Sequence, residues 1–272
     1  MTPFKSVGVI GAGRMGQPII GHLARRGFVV RAYDIDPAKR EAVARLGAGW
    51  AASAGDLGRG SDAVLVCVGY DRELRELVSA AGLLGDVARG TIVAVLSTVH
   101  PRTVQELAGV ARPLDVHVVD TTVARGGRAA DAGTLLAFLA GDAEVVERLT
   151  PVFASFSADI VHTGGVGTAQ VAKAANNLVM WACLIANHEA LALARRFGVD
   201  VERLREALLM SSAENYVLRH WGENTMAWAD DDLEIIEAMA KDAGIGLPQT
   251  TLNRELCRTL KPKRFKLDEY GT

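Results

Sequence analysis

The sequence predicts an α/β domain followed by an all-α domain, with one long helix joining them. Short apolar runs alternate with helical segments up to about residue 162, which is typical of a largely parallel sheet. A glycine-rich stretch follows the first apolar run. Beyond residue 164 the strand pattern ends and only helical segments follow. We therefore expect domains at residues 1–163 and 164–272.

The first apolar run, residues 7–10, leads into a G-x-G-x-x-G pattern. In such a turn Gly11 permits the bend, Gly13 lets a pyrophosphate approach the backbone, and Gly16 allows close packing of helix and strand. The helix N-terminus that follows favours phosphate. The residues predicted to bind a dinucleotide here are Gly11, Ala12, Gly13, Arg14, Met15 and Gly16. The alternative is a strand–turn–helix whose glycines serve packing only.

The second predicted strand ends at Asp34, 18 residues after Gly16 (34 − 16). A carboxylate at this place accepts hydrogen bonds from the ribose hydroxyls and repels a 2′-phosphate. The context indicates a Rossmann-type domain that prefers NAD. Lys39 and Arg40 lie nearby and leave NADP open as an alternative cofactor.

The remaining elements of the first domain follow in alternation. Strands are predicted at residues 7–10, 28–33, 62–68, 91–96, 116–120, 135–140 and 158–162, and helices at 17–26, 37–46, 72–81, 101–111 and 143–153. Ligands of such sheets gather outside the carboxyl ends of the strands. The loops after these strands are therefore the places to expect a site.

The second domain begins with a helix predicted over residues 168–197. Its middle, residues 178–185, is apolar on every side, so we expect burial all round, in a core or between subunits. Further helices are predicted at residues 201–210, 213–221, 230–241 and 249–260. Residues 261–272 read as a loosely held tail.

The composition excludes several classes of protein. With a net charge of −2, no general attraction to nucleic acid or to a membrane is expected. The three cysteines and the scattered histidines lack metal-ligand spacing, so no metal site is predicted. The apolar run 178–186 is too short to span a bilayer. We expect a cytoplasmic protein.

Lys173 lies one turn or so into the long helix, and Asn176 and Asn177 share its face. A lysine among Ala, Val and Leu loses solvation, which lowers its pKa and suits a general acid/base for a carbonyl oxygen. The alternative is a surface lysine beside two surface asparagines. The spacing alone does not decide between the two.

The stretch from Gly165 and Gly167 through Lys173 to Asn177 resembles the signature of the β-hydroxyacid dehydrogenase family, which includes 3-hydroxyisobutyrate dehydrogenase. This family is related to the NAD-binding domain of 6-phosphogluconate dehydrogenase. Supporting matches are the G-x-G-x-x-G turn, Ser97-Thr98 before Pro101, and Asp120 before Gly133-Thr134-Leu135. The similarity extends over about residues 5 to 250.

The resemblance implies reversible oxidation of a 3-hydroxy acid to its semialdehyde with NAD(P), with Lys173 and Asn177 as catalytic residues. It places Val68, Gly69 and Thr98 at the cofactor. The residues that it places at the substrate are Ser97, Ala124, Arg125, Gly126 and Asn177. It also implies a helical domain that builds a homodimer or homotetramer.

Four positions depart from the family pattern. Ala124 and Arg125 replace a serine and a glycine that hold the substrate carboxylate, and Val95 replaces an aspartate. Our hypothesis is that Arg125 binds an acidic group of the substrate; the alternatives are exposure to solvent or a pair with Asp131. Asp231 stands where the family carries a lysine near the cofactor.

The sequence thus predicts an NAD(P)-dependent oxidoreductase for a small acidic substrate. Two alternatives stay open. One is a reductase of another C=O or C=N substrate, which the altered loop around Arg125 permits. The other is a dinucleotide-binding sensor without turnover, which Asp231 suggests.

Overall fold

The apolar runs of the first half form one eight-stranded sheet in the computed structural model, which describes residues 4–69, 71–79, 81–223 and 225–270. The strands are β1 (Ser6–Ile10), β2 (Val29–Tyr33), β3 (Gly49–Trp50), β4 (Ala63–Val66), β5 (Ile92–Val95), β6 (His117–Ala124), β7 (Leu135–Ala140) and β8 (Ser157–Gly164). They lie in the order β3-β2-β1-β4-β5-β6-β7-β8, and β6 and β7 form the antiparallel pair. The carboxyl ends of β1, β4, β5 and β6 therefore share one edge of the sheet.

Helices cover both faces of this sheet. They are α1 (Gly16–Arg25), α2 (Arg40–Arg45), α3 (Ala54–Arg59), α4 (Asp71–Leu77), α5 (Leu83–Asp86), α6 (Pro101–Ala111), α7 (Gly126–Ala132) and α8 (Ala143–Phe153). One apolar core joins the sheet to α1 and α8, and a second joins it to α3–α6. Because both faces are covered, β4 and β5 are buried along their whole length.

Some elements of the first unit differ from those predicted. The predicted helix 37–46 begins as a 3₁₀ turn, Pro37–Lys39, before α2. We did not predict β3, α3, α5 or α7. The strand β3 has only two residues, and α7 begins at a glycine pair that indicates a loop when seen alone. The predicted helix 72–81 ends earlier, at Leu77, and its position Ala80 lies outside the described residues.

Helices are the elements of the second half in its described residues, and they are α9 (Thr168–Arg196), α10 (Val201–Leu208), α11 (Tyr216–Arg219), α12 (Ala229–Ala243) and α13 (Pro248–Leu260). The predicted fold class, a Rossmann-type domain followed by a long helix and an all-α domain, is confirmed. The chain divides into two compact units, Met1–Lys173 and Ala174–Thr272. The division falls inside α9, because the first turns of that helix are bonded to the strand β6.

The apolar middle of the long helix α9 is partly exposed within this chain, so a core alone does not bury it; burial between subunits, the other expectation, stays a prediction. Trp181, Leu184 and Ile185 lie in the core of the second unit, whereas Val179 is 59% exposed. By length and composition α9 is the one helix in the described residues that could cross a membrane. From the sequence we counted only the apolar run 178–186, which is shorter than the 29-residue helix. Core helices of soluble proteins also satisfy this criterion of length and composition.

The tail was predicted to be loosely held, and this is wrong for its described residues, 261–270. The buried His188 of α9 accepts a hydrogen bond from the backbone N–H of Phe265 (2.9 Å) through Nε2 and donates one to Leu184 through Nδ1. Its ring packs against Trp221 and Phe265. Because Phe265 and the buried Leu267 supply apolar contacts late in the chain, the segment is fixed.

Candidate active site

The turn between β1 and α1, residues 11–16, is the fingerprint loop, and its glycines have different surroundings. A Cβ on Gly11, which has φ of 95°, would lie 2.3 Å from the backbone oxygen of Cys67. A Cβ on Gly16 would lie 1.9 Å from the backbone oxygen of Gly11. Both positions therefore require glycine. No atom lies within 4 Å of a Cβ placed on Gly13, so this backbone is open to a pyrophosphate at the start of α1.

Asp34 lies at the end of β2, beside the fingerprint loop. Its carboxylate accepts hydrogen bonds from the backbone N–H groups of Ala12 (2.7 Å) and Asp36 (2.9 Å), and both oxygens lie 3.0 Å from Nζ of Lys39. Burial disfavours the charged carboxylate, but these hydrogen bonds outweigh burial and lower the pKa of Asp34. A charged acceptor thus stands where a ribose would bind, and the residues present fit a dinucleotide.

The loops after β4 and β5 meet at the same edge of the sheet. The backbone N–H of Val68 donates to Oγ of Ser97 (3.0 Å), and the N–H of Gly69 donates to Glu73 (3.2 Å). Ser97 is buried, while Thr98 is half-buried. The fold therefore brings together the cofactor-side residues that the resemblance implied for these two loops.

Lys173 contacts residues 121–127, which we call the substrate loop and which begin with the last four residues of β6. Its Nζ donates to the carbonyl oxygen of Val123 at 2.8 Å, and its side chain is half-buried. Asn177 follows four residues later on the same helix, is 2% exposed, and accepts a hydrogen bond from Asn176. The predicted alternative of an exposed surface lysine does not describe this arrangement.

Arg125 opens α7 with an unusual backbone. Its φ is 80°, in the left-handed region that favours glycine. Its guanidinium donates to the carbonyl oxygen of Thr134 (3.1 Å) and pairs with Asp159 on β8 (2.6 Å). The alternative pair with Asp131 is wrong, because Asp131 is held by Arg14 of the fingerprint loop at 2.6 Å. Arg125 is flanked by Ala124, which is buried, and by Gly126, the first residue of α7.

Comparison with known proteins identifies the family of this chain. Residues 6–165 match the family described as the NAD binding domain of 6-phosphogluconate dehydrogenase, and residues 167–269 match the NAD-binding family of NADP-dependent 3-hydroxyisobutyrate dehydrogenase. The NAD-dependent L-serine dehydrogenase of Pseudomonas aeruginosa is 31% identical, over 89% of this chain and 84% of that protein. The chain belongs to the β-hydroxyacid dehydrogenase family. It is therefore an NAD(P)-dependent oxidoreductase.

Two further proteins are similar to this chain. The 2-(hydroxymethyl)glutarate dehydrogenase of Eubacterium barkeri is 26% identical, over 92% of this chain and 88% of that protein. The structure of Mycobacterium tuberculosis 3-hydroxyisobutyrate dehydrogenase with L-serine superposes with a TM-score of 0.87 at 22% identity, covering 96% of this chain and 94% of that one. The latter likeness shows the fold of the β-hydroxyacid dehydrogenases.

Sequence reasoning used Asp120 of this β-hydroxyacid dehydrogenase only as a motif match and missed its buried pairing with Gln170. Asp120 on β6 and Gln170 on α9 are 0% and 1% exposed and hydrogen-bond to each other at 2.9 Å. A carboxylate at the end of an apolar strand was a signal for Asp120. No local signal marked Gln170, because its partners lie at least 50 residues away along the chain.

Asp231, the acid that replaces the family lysine, lies in the first turn of α12. Its neighbours have structural partners: Asp230 binds Arg254 at 2.6 Å, and Asp232 accepts a hydrogen bond from Trp181. Carboxylates in a first helical turn are stabilised by the helix dipole. In the described part of the chain no group of His, Cys, Asp and Glu side chains is placed to hold a metal ion.

Proposed function

We propose that this β-hydroxyacid dehydrogenase interconverts a small 3-hydroxy acid and its semialdehyde, with Lys173 as general acid/base. The observation that carries the proposal is the 2.8 Å hydrogen bond from Lys173 Nζ to the carbonyl oxygen of Val123. This bond holds the amine against the substrate loop, next to Ala124. A proton carrier fixed at that place suits chemistry on a substrate oxygen.

Oxidation removes a hydride from the hydroxyl-bearing carbon and a proton from its oxygen. When bound, the nicotinamide supplies the hydride acceptor. The amine of Lys173 takes the hydroxyl proton, and in the reverse direction the ammonium returns it to the carbonyl oxygen. The carbonyl of Val123 fixes Nζ, and we assign Asn177 to a substrate oxygen.

The names of the relatives support the substrate class. L-Serine and 2-(hydroxymethyl)glutarate each carry a hydroxymethyl group on the carbon that bears a carboxylate. We propose that Ser97, Ala124, Arg125 and Gly126 surround a substrate of this kind. For Arg125 this requires that a substrate anion replace Asp159 as the partner of its guanidinium.

We propose a preference for NAD over NADP. The support is Asp34, which offers a charged acceptor to the ribose hydroxyls and repels a 2′-phosphate. Lys39, which contacts both oxygens of Asp34, moderates the repulsion.

In Lys39→Ala we expect kcat/KM to fall more for NADP than for NAD. Arg45→Ala is the matched control, since Arg45 is an exposed cation of α2 that pairs with Glu41. Equal NAD-to-NADP ratios in wild type and Lys39→Ala would contradict the assignment.

The test of function is NAD reduction at 340 nm across small 3-hydroxy acids with and without a second anionic group, with NADP in parallel. We expect turnover with NAD and at least one acid.

The change to Ala124 favours a second candidate, a reductase of another C=O or C=N substrate. For this reason the panel also includes neutral aldehydes and cyclic imines with NADH. Turnover confined to these would overturn the hydroxy-acid proposal.

A sensor without turnover, suggested by Asp231, predicts NADH binding with no activity on any member of the panel. The homodimer or homotetramer and the cytoplasmic location stay predictions. Light scattering of the purified protein measures the subunit number. We predict that the protein binds neither nucleic acid nor membranes.

A further inference from the structure

The side chain of Gln170 pairs with backbone on both sides of Thr98. Its Oε1 accepts from the N–H of Val99 (3.0 Å), and its Nε2 donates to the carbonyl oxygen of Ser97 (3.0 Å). A residue of a neighbouring parallel strand makes the same two bonds, one before and one after the residue that it faces. The amide of Gln170 therefore extends the sheet past the end of β5 and fixes residues 97–99.

The same amide is tied to the strand that leads to the substrate loop. Nε2 also donates to Oδ1 of Asp120 (2.9 Å). Oδ2 of Asp120 accepts the backbone N–H groups of Gly167, Ala169 and Gln170 at 3.0–3.1 Å, which caps the start of α9. Since Asp120 and Gln170 are both buried, no water replaces these bonds at low cost.

The bonds form one connected chain. It runs from Val68 to Oγ of Ser97, from the carbonyl oxygen of Ser97 to Gln170, and on to Asp120. Lys173 lies three residues after Gln170, less than one helical turn away, at about 1.5 Å rise per residue. A displacement of the first turn of α9 therefore moves the loop at Thr98 and the amine of Lys173 together.

We propose that Gln170 is a positioning residue that fixes the loop at Thr98 and the amine of Lys173 relative to each other. It thereby aligns hydride and proton transfer without touching the reacting atoms. The inference rests on the proposed role of Lys173. It goes beyond that role in assigning the alignment to a buried amide.

The test uses Gln170→Leu, which keeps the approximate volume and removes all three hydrogen bonds. Because a misplacement of about 1 Å can cost about a hundredfold in rate, we expect kcat per NADH-titrated site to fall about a hundredfold. We expect the Kd for NADH to change less than about threefold. The primary deuterium isotope effect on kcat should rise, because hydride transfer becomes rate-limiting. A purely structural role would reduce the number of active sites and leave the isotope effect unchanged.

Gln105→Leu is the matched control. Gln105 also holds the start of α9, by donating to the carbonyl oxygen of Val166 (3.1 Å), but it is exposed and makes no bond to residues 97–99 among those described. We expect its kcat and isotope effect to equal those of wild type. If both glutamine variants give the same kcat, the proposal is overturned.

Gln170→Glu keeps the protein testable if the leucine variant does not fold. The ionised carboxylate of Gln170→Glu still accepts from Val99 but is repelled by the carboxylate of Asp120. When it is protonated, its hydroxyl again donates a hydrogen bond to Asp120. We expect its relative kcat to rise as the pH falls. A kcat that follows the wild-type pH profile would contradict the role of Gln170. Loss of turnover in Lys173→Met separates the two proposals: if Lys173→Met stays active, the failure lies in the proposed function.

Discussion

The fingerprint loop and the substrate loop lie in one domain but are held by different forces. The fingerprint loop is fixed by backbone packing, since side chains at Gly11 or Gly16 would collide with main-chain oxygens. The substrate loop is fixed by an ion pair with a distant part of the chain, Arg125 with Asp159, and the helix α7 that follows it is fixed by the pair of Asp131 with Arg14. Backbone packing tolerates almost no change, whereas ion pairs can be exchanged. In this chain the fingerprint loop should therefore tolerate fewer substitutions than the substrate loop.

The largest expected effect comes from glycine substitutions in the fingerprint loop. Gly16→Ala places a methyl group 1.9 Å from a backbone oxygen, and we expect a loss of about 3 kcal/mol in the free energy of unfolding. Gly13→Ala meets no protein atom, so stability should change by less than about 1 kcal/mol. Its methyl group projects toward the pyrophosphate, and the Kd for NADH should rise at least about tenfold.

Urea unfolding and NADH fluorescence titration of the two variants separate packing from binding. Equal losses of stability in Gly13→Ala and Gly16→Ala would remove the distinction between the glycines. Tight NADH binding by Gly13→Ala would show that the pyrophosphate lies elsewhere.

The contrast between the loops also explains what the sequence could predict. The fingerprint glycines and Asp34 follow from local pattern, because their spacing along the chain decides their geometry. The partners of Arg125 and Gln170 are distant in sequence, and nothing near either residue identifies them. The fixed tail at Phe265 was missed for the same reason, since its anchor is His188 on another helix.

A second prediction concerns the base of the substrate loop. Burial raises the pKa of Asp120 to about 6, even though Gln170, Gly167 and Ala169 donate to the carboxylate. The folded protein thus binds this proton more tightly than the unfolded chain, whose aspartate titrates at about 3.9. The contribution of Asp120 to stability is present in full below about pH 4 and is lost as the pH rises through about 6. It amounts to about 3 kcal/mol.

Asp120→Asn removes this titration. The unfolding free energy of wild type should therefore decrease relative to that of the variant as the pH rises from about 4 to about 7. Chemical denaturation at several pH values measures it. A difference that does not depend on pH would show that Asp120 keeps an ordinary pKa.

A third and smaller effect concerns the backbone of Arg125, whose φ is 80°. Arg125→Ala and Arg125→Gly both remove the pair with Asp159, but only glycine relieves the left-handed strain. We expect the glycine variant to be more stable by about 1 kcal/mol. Thermal unfolding of the two variants measures this difference directly. Equal stabilities would mean that the loop relaxes when the side chain is removed.

The smallest effect is expected at the pair of Arg14 and Asp131, whose side chains are more than half exposed. Asp131→Asn should lower stability by less than about 1 kcal/mol, because exposed ion pairs contribute little. The effect should shrink further in high salt, which screens such pairs. A loss above about 2 kcal/mol, unchanged by salt, would show that this contact holds the helix α7 as firmly as packing holds the fingerprint loop.

The central claim is that Lys173 transfers the proton while the fingerprint loop binds the cofactor independently. The direct measurement is turnover and NADH affinity of Lys173→Met on one preparation, with the exposed Lys241→Met as control. We predict a fall in kcat of about a hundredfold to ten-thousandfold, a Kd for NADH within about threefold of wild type, and a control with wild-type values. Turnover within about tenfold of wild type in Lys173→Met, with NADH still bound, would contradict the account.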